Sequence, residues 1–188
     1  LTIFLIPCSI IGARAYYVIF SYDNYRGNFI QMLNLRAGGL AIHGGIIAGV
    51  IVSYIVAKRK KIKFSNLADL IMPQVALAQA IGRWGNFFNS EAHGGPTNLP
   101  WAITVYGEKV HPTFLYESIW CFFIFILLIF LSNKIKFNGQ IALLYAMLYS
   151  FERFWVEGLR TDSLMIGQFR QAQVLSLMVF VLALATYI

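Results

Sequence analysis

Residues 113–131 read TFLYESIWCFFIFILLIFL, with Glu117 as the one charged side chain in the run. About 20 apolar residues coiled as a helix match the hydrocarbon thickness of a bilayer. Working outward, similar runs occur at Leu1–Phe20, Gly38–Ala57, Leu67–Ile81, Ile141–Val156 and Gln173–Ile188. Glu152 and Arg153 interrupt the run at Ile141–Val156. Leu67–Ile81 is short and needs flanking residues or packing within protein to complete a span. Helices are the open-ended way to cross lipid, because every backbone polar group must be satisfied inside the segment. The expected fold is an all-α integral membrane protein, a bundle of about six transmembrane helices.

Composition agrees. Of 188 residues, 59% are hydrophobic and 12% charged, where a soluble domain carries about 25% charged residues. The length suits a single transmembrane domain over residues 1–188. A net charge of +7 would fit a nucleic-acid binder, but its distribution argues against one. Lys58, Arg59, Lys60, Lys61 and Lys63 share one short loop, and Lys134 and Lys136 share another. Basic loops of this kind mark cytoplasmic ends of spans, beside the anionic inner leaflet.

With both basic loops inside, alternation puts residues 86–112 outside. Gly94, Gly95, Pro96, Pro100 and Gly107 break helices there. Trp101–Tyr106 has strand character, with a turn expected around Gly107. A small extracytoplasmic cap follows. Cys8 and Cys121 each sit in an apolar run and read as small buried hydrophobes. Two cysteines make no metal framework. The first run lacks the basic start and cleavage site of a signal peptide and does not begin with Met, so upstream sequence is expected.

Charges near a bilayer core are costly and turn toward the bundle interior. Arg14, Arg83, Glu117, Glu152, Arg153 and Glu157 need explaining on that ground. Internal Arg–Glu pairing accounts for Glu117 and Glu152 at least as well as chemistry does. Arg83 and Arg153 point to function: a guanidinium fork suits phosphate, and a membrane site can reach a phospholipid phosphate sideways. Arg153 and Glu157, four apart, share a helix face, with Arg160 a turn further on. His43 lies in Gly-Gly-Leu-Ala-Ile-His-Gly-Gly, residues 38–45. Spacing alone favours a structural histidine, yet histidine is the side chain whose ordinary pKa lies near neutrality. Gly45 and Gly49 have small-xxx-small spacing for close helix approach. The densest constellation is GRWGNFFNSEAHG, residues 82–94, where a span meets the cap.

That segment resembles the signature of the prolipoprotein diacylglyceryl transferases: Gly-Arg-x-Gly-Asn-Phe-apolar-Asn-x-Glu-x-x-Gly. Every fixed position matches, from Gly82 to Gly94. Arg14 with Tyr16–Phe20, His43-Gly44-Gly45, His111 to Glu117, and Glu152 to Asp162 resemble the family in its order. The family carries an additional first helix, with an aromatic-Tyr-Gly motif, ahead of what is Leu1 here; nothing in the chain matches it.

The resemblance implies transfer of the sn-1,2-diacylglyceryl group from phosphatidylglycerol to the lipobox cysteine of a prolipoprotein signal peptide. A thioether forms, glycerol phosphate leaves, and no metal or cofactor takes part. It places the protein in a bacterial plasma (inner) membrane, with its site toward the extracytoplasmic side. His43, Arg83 and Arg153 become the catalytic candidates. Arg83, Asn86, Asn89, Glu91, Gly94, Arg153, Glu157 and Arg160 become the candidates for holding phosphatidylglycerol. Two rivals are a small-solute transporter or channel with an arginine-lined pathway and a structural subunit held by internal ion pairs.

Overall fold

A computed structural model describes residues 2–35 and 38–188; Leu1, where the first apolar run begins, lies outside them. The chain divides into two compact units, residues 1–67 and 68–188.

In the first unit, α1 (Thr2–Phe20) packs against α3 (Ile42–Lys60). Between them come a single 3-10 turn (Tyr22–Tyr25) and the short α2 (Phe29–Leu33). The α1–α3 seam is built on small residues: a Cβ at Gly44 would run into Gly12 O and Tyr16 Cβ, and one at Gly12 into Ala48 Cβ. Gly45 and Gly49 also face α1, against Ser9, but Gly12 and Gly44 make the tightest approach. α3 starts later than the apolar run, at Ile42, because Gly38 and Gly39 take positive φ, +79° and +73°. It ends in a Schellman turn. Lys61 is left-handed and its N–H bonds Lys58 O, while Ile62 N–H bonds Ala57 O.

Arg14 is explained within this unit. Its guanidinium donates to Met32 O (2.9 Å), Gly38 O (2.6 Å), Gly39 O (3.0 Å) and Gln31 O (2.7 Å), and lies 5.1 Å from the Tyr25 ring centroid. It gathers the segment between α1 and α3 by its backbone carbonyls.

In the second unit, α5 (Thr113–Ser132) packs on α6 (Gln140–Leu159), and α6 on α7 (Gln171–Tyr187). α4 (Phe64–Phe88) is longer than its apolar run at both ends. Its 25 residues span about 37 Å. The signature's first seven residues are therefore helical, and the non-helical cap segment begins after Phe88, three residues later than the run suggests.

The core is Ala76, Ile124, Leu128 and Ile141, edged by Trp120, Leu144 and Leu148. At the N-terminal end of α6, Asp69 accepts from Gly139 N (2.7 Å) and Ala142 N (2.9 Å), satisfying orphan amides of that helix. Gln140 donates to Tyr187 OH at 2.8 Å, tying α6 to the end of α7.

By length and composition, α1 from Ile3, α3 and α5 are long and apolar enough to cross a membrane. α6 carries three charges, α4 is more polar, and α7 is an apolar helix of 17 residues. Burial on α5 departs from that of a soluble protein, since polar side chains share its buried face with Ile124 and Leu128. α5 buries Glu117, Thr113 and Ser118 while exposing Ile119, Phe122, Phe123, Ile126 and Phe130. Such a pattern fits lipid outside and a polar interior.

The cap contains a hairpin, β1 (Ile103–Val105) with β2 (Glu108–Val110), paired antiparallel with Val105 opposite Glu108. Tyr106 and Gly107 form its two-residue turn, both at positive φ, +51° and +88°, as a type I′ hairpin requires. A smaller hairpin, β3 (Met165–Ile166) with β4 (Phe169–Arg170), joins α6 to α7.

Candidate active site

The signature begins on α4 and turns off it. Ser90 N–H bonds Phe87 O (3.1 Å) and Glu91 N–H bonds Asn86 O (3.0 Å), with Ser90 left-handed at φ +54°. Those two bonds form a Schellman C-cap, so Asn86 and Glu91 are joined through their backbones. The Glu91 side chain accepts from Asn89 Nδ2 at 3.2 Å, on an exposed surface.

The segment then enters the cap's hydrogen-bond ladder. Gly94 N–H donates to His111 O (2.9 Å) and His111 N–H to Gly95 O (3.0 Å), while Gly95 N–H donates to Leu159 O (3.0 Å) at the end of α6. Gly94 also bridges to Arg160. A Cβ on Gly94 would lie 2.6 Å from His111 Cβ and 3.1 Å from Leu159 O. Glycine is required there by close backbone approach.

Arg83 faces α5 and α6 from the last turns of α4. Its Nε lies 3.1 Å from Glu117 Oε2, and its Nη2 donates to Tyr149 OH at 3.4 Å. Arg153 Nη1 lies 2.6 Å from the other Glu117 oxygen, and its Nη2 lies 2.7 Å from Glu157 Oε2, one turn along α6. A single carboxylate, 1% exposed, therefore joins two guanidiniums, each 19% exposed. Arg83 Nη1 and Arg153 Nε have no hydrogen-bond partner among the described residues.

Two positive and two negative side chains make this a balanced cluster, which a low-dielectric setting demands. Its geometry fixes the guanidinium planes while leaving donors on each, an arrangement suited to an anion with several oxygens. Neighbouring contacts hold the scaffold: Trp84 Nε1 donates to Ser118 Oγ (3.2 Å), which donates to Ala80 O (2.8 Å). Phe87 lies against Phe114, tilted by 32° at 4.9 Å between centroids.

The expected site residues divide accordingly. Arg83, Arg153 and Glu157 come together. Glu117, for which internal ion pairing was expected at least as readily as a chemical role, is the centre of the group. Gly94 belongs to the cap ladder. Arg160, expected beside Arg153, instead grips Asp162 through Nε (2.9 Å) and Nη2 (2.7 Å), because α6 ends at Leu159 and Arg160 is extended. That bidentate bond holds the Asp162 carboxyl below the usual carboxylate range. Arg170 closes the end of α6, donating to Arg160 O (3.0 Å) and to Glu157 O. Sequence reading missed Arg170; a cation soon after a helix C-terminus was the signal available. His43 belongs to the first unit, in the first turn of α3, with its ring 6.1 Å from that of Tyr16.

The fold and the cluster define an integral membrane protein with an ionic centre buried among its helices. The model of the prolipoprotein diacylglyceryl transferase family matches residues 1–188. Similar proteins include one from Finegoldia magna, 56% identical over 95% of this chain and 73% of its own length. Another, from Clostridioides difficile, is 56% identical over 94% of this chain and 71% of its own. A third, from Clostridium botulinum, is 50% identical over 95% and 74%. Each is named a phosphatidylglycerol–prolipoprotein diacylglyceryl transferase. The chain belongs to the prolipoprotein diacylglyceryl transferase family. It is a membrane transferase of lipoprotein biosynthesis, and the transporter and structural-subunit readings fall away.

Proposed function

We propose that this protein moves the sn-1,2-diacylglyceryl group of phosphatidylglycerol onto the lipobox cysteine thiol of a prolipoprotein signal peptide. The carrying observation is the carboxylate of Glu117 shared between Arg83 and Arg153. Pre-set guanidiniums with unused donors stabilise charge that develops on a leaving phosphate, without reorganising as it forms. In this reading Arg83 and Arg153 hold the phosphate of the lipid, and Glu117 and Glu157 keep both forks aimed. Asn86, Asn89, Glu91, Gly94 and Arg160 shape the rim that receives the glycerol headgroup.

A thiol attacks as thiolate, and His43 is the proposed acceptor of its proton. The basic stretches at 58–63 and 134–136 support a cytoplasmic location for the opposite end of these helices, by the positive-inside rule. The cluster and the cap then face the extracytoplasmic side of a bacterial plasma membrane. Lipid and signal peptide arrive from the bilayer.

The test is mass spectrometry of a lipobox peptide incubated with the protein in phosphatidylglycerol vesicles, beside Arg83→Ala. A diacylglyceryl mass gain on the cysteine, lost in the variant, is expected. No gain with the unaltered protein would sink the proposal, and a full gain with Arg83→Ala would remove the phosphate grip from it.

A further inference from the structure

Glu152 precedes Arg153 on α6 and is 6% exposed. It lies seven residues before Leu159, about 10 Å in from the helix end. Neither of its oxygens has a hydrogen-bond partner among the described residues. The charges of Glu117, Arg83 and Arg153 act on it. The ionisable groups around it are Arg83 from α4, Glu117 and Cys121 from α5, and Tyr149 and Arg153 from α6 itself. α7 offers only Tyr187, which is bonded to Gln140 at the other end of α6.

A charge count decides what this group is. Arg83 and Arg153 are already balanced by Glu117 and Glu157. A third carboxylate there would add uncompensated charge with no donor to solvate it, a costly arrangement out of water. A neutral carboxylic acid avoids that cost and has a proton to give. We infer that Glu152 carries a proton and is the general acid of the transfer, protonating the phosphate oxygen that leaves.

The inference rests on the reading that Arg83 and Arg153 hold the lipid phosphate. The cysteine sulfur forms a bond to the terminal glyceryl carbon of the diacylglyceryl group. The carbon–oxygen bond to phosphate breaks, and its electron pair goes to the phosphate oxygen. Unprotonated, glycerol phosphate would leave as a dianion, whose second pKa is about 6. The two arginines offer that oxygen hydrogen-bond donors, but their charge is already matched by Glu117 and Glu157, so the cluster has no net charge to balance a dianion. The Glu152 proton makes it a monoanion. The thiol proton passes to water, and Glu152 regains a proton from water. Thiol and phosphatidylglycerol thus give thioether and glycerol phosphate, with every proton placed.

Glu152→Gln keeps the shape of the side chain and yields no proton. With lipobox peptide in phosphatidylglycerol vesicles, kcat is expected to fall about 100-fold with KM for phosphatidylglycerol unchanged. The alkaline fall of the parent's pH profile should vanish. A kcat within about threefold of the parent with the same profile, or a loss confined to KM, overturns the inference. So does a parent profile with no alkaline fall. Tryptophan fluorescence melting reports whether Glu152→Gln folds. If it does not, Glu152→Asp decides: the retained acid must keep the alkaline fall, and its absence overturns the inference. A parent that transfers nothing brings down the reading of function and this inference together. An active parent with an unaffected variant removes this inference alone.

Discussion

Glu117 meets Arg153 at 2.6 Å with the carboxylate 1% exposed, and α5 thereby holds α6 through an ion pair placed among apolar helix faces. The same carboxylate reaches Arg83 with its other oxygen, so its removal takes a partner from two cations and leaves Arg83 without a carboxylate, while Arg153 keeps Glu157. Breaking a buried pair from one side costs about 3–5 kcal/mol, because the remaining charge is left uncompensated. Glu117→Gln should lose stability in that range, and more than Glu157→Gln, which touches Arg153 alone. Denaturant melts of both variants in detergent would check the order. Equal losses would show that Glu117 does not act as the shared centre.

Arg153→Lys keeps the charge and loses the fork. A lysine has one nitrogen and cannot meet Glu117 and Glu157 in one plane while offering a further donor. Turnover should fall by about 100-fold or more, the usual loss when one oxyanion donor is removed. Steady-state transfer assays would check it, and near-parent turnover would show that charge alone suffices at this position.

Much of this was legible in the chain. Each of the six apolar runs corresponds to a long helix among the described residues, since period and length are local properties. Their ends were less legible. α4 continues through Gly82 and Gly85 because the packing of Trp84 and Phe87 on Phe114 outweighs glycine's low helix propensity. Arg83 and Arg153 stood out because charge is rare in such runs. The role of Glu117 did not, because sharing one carboxylate between helices is a tertiary fact that no spacing encodes. Arg14 needed explaining by the same rarity, and its partners are the carbonyls of Gln31, Met32, Gly38 and Gly39.

Ser90 occupies the left-handed position of the α4 cap at φ +54°. A non-glycine residue there carries a penalty of about 1–2 kcal/mol per residue, partly relieved for small polar side chains. Ser90→Gly should therefore raise stability by up to about 1 kcal/mol, and Ser90→Val should lower it. Melting temperatures of the two variants should move in opposite directions. Movement in the same direction would mean that the cap is not what limits this turn.

Asp162 gives a dependence on pH. Its carboxyl lies below the ordinary range because Arg160 donates two hydrogen bonds to it. A depressed carboxylate contributes stability that is present above the unfolded value, about 3.9, and is lost as pH falls through the folded value. Its side chain is 50% exposed, so solvent and salt reduce the effect. The stability gap between the parent and Asp162→Asn should be open at neutral pH, narrow below about pH 4, and shrink in high salt. A gap that persists at low pH would assign the effect to packing.

Gly94 tests whether the cap is held to α6 as the structure shows. Its N–H reaches His111 O, and its neighbour Gly95 reaches Leu159 O, so the signature's last glycine lies between a cap strand and the helix that carries Arg153. An alanine methyl at position 94 would stand 2.6 Å from His111 Cβ, 3.1 Å from Leu159 O and 3.2 Å from Thr113 Cγ2. None of these is the free end of a flexible side chain. Relief requires the cap strand to move away from the end of α6, at a cost of about 1–3 kcal/mol as for other overpacked sites. Gly95→Ala is the control, because its Cβ would meet Thr161 Cγ2 at an ordinary 3.8 Å. Limited proteolysis within residues 89–112 should speed up for Gly94→Ala and stay at the parent's rate for Gly95→Ala. If both variants resist cleavage as the parent does, the ladder joining His111, Gly95 and Leu159 does not secure the cap.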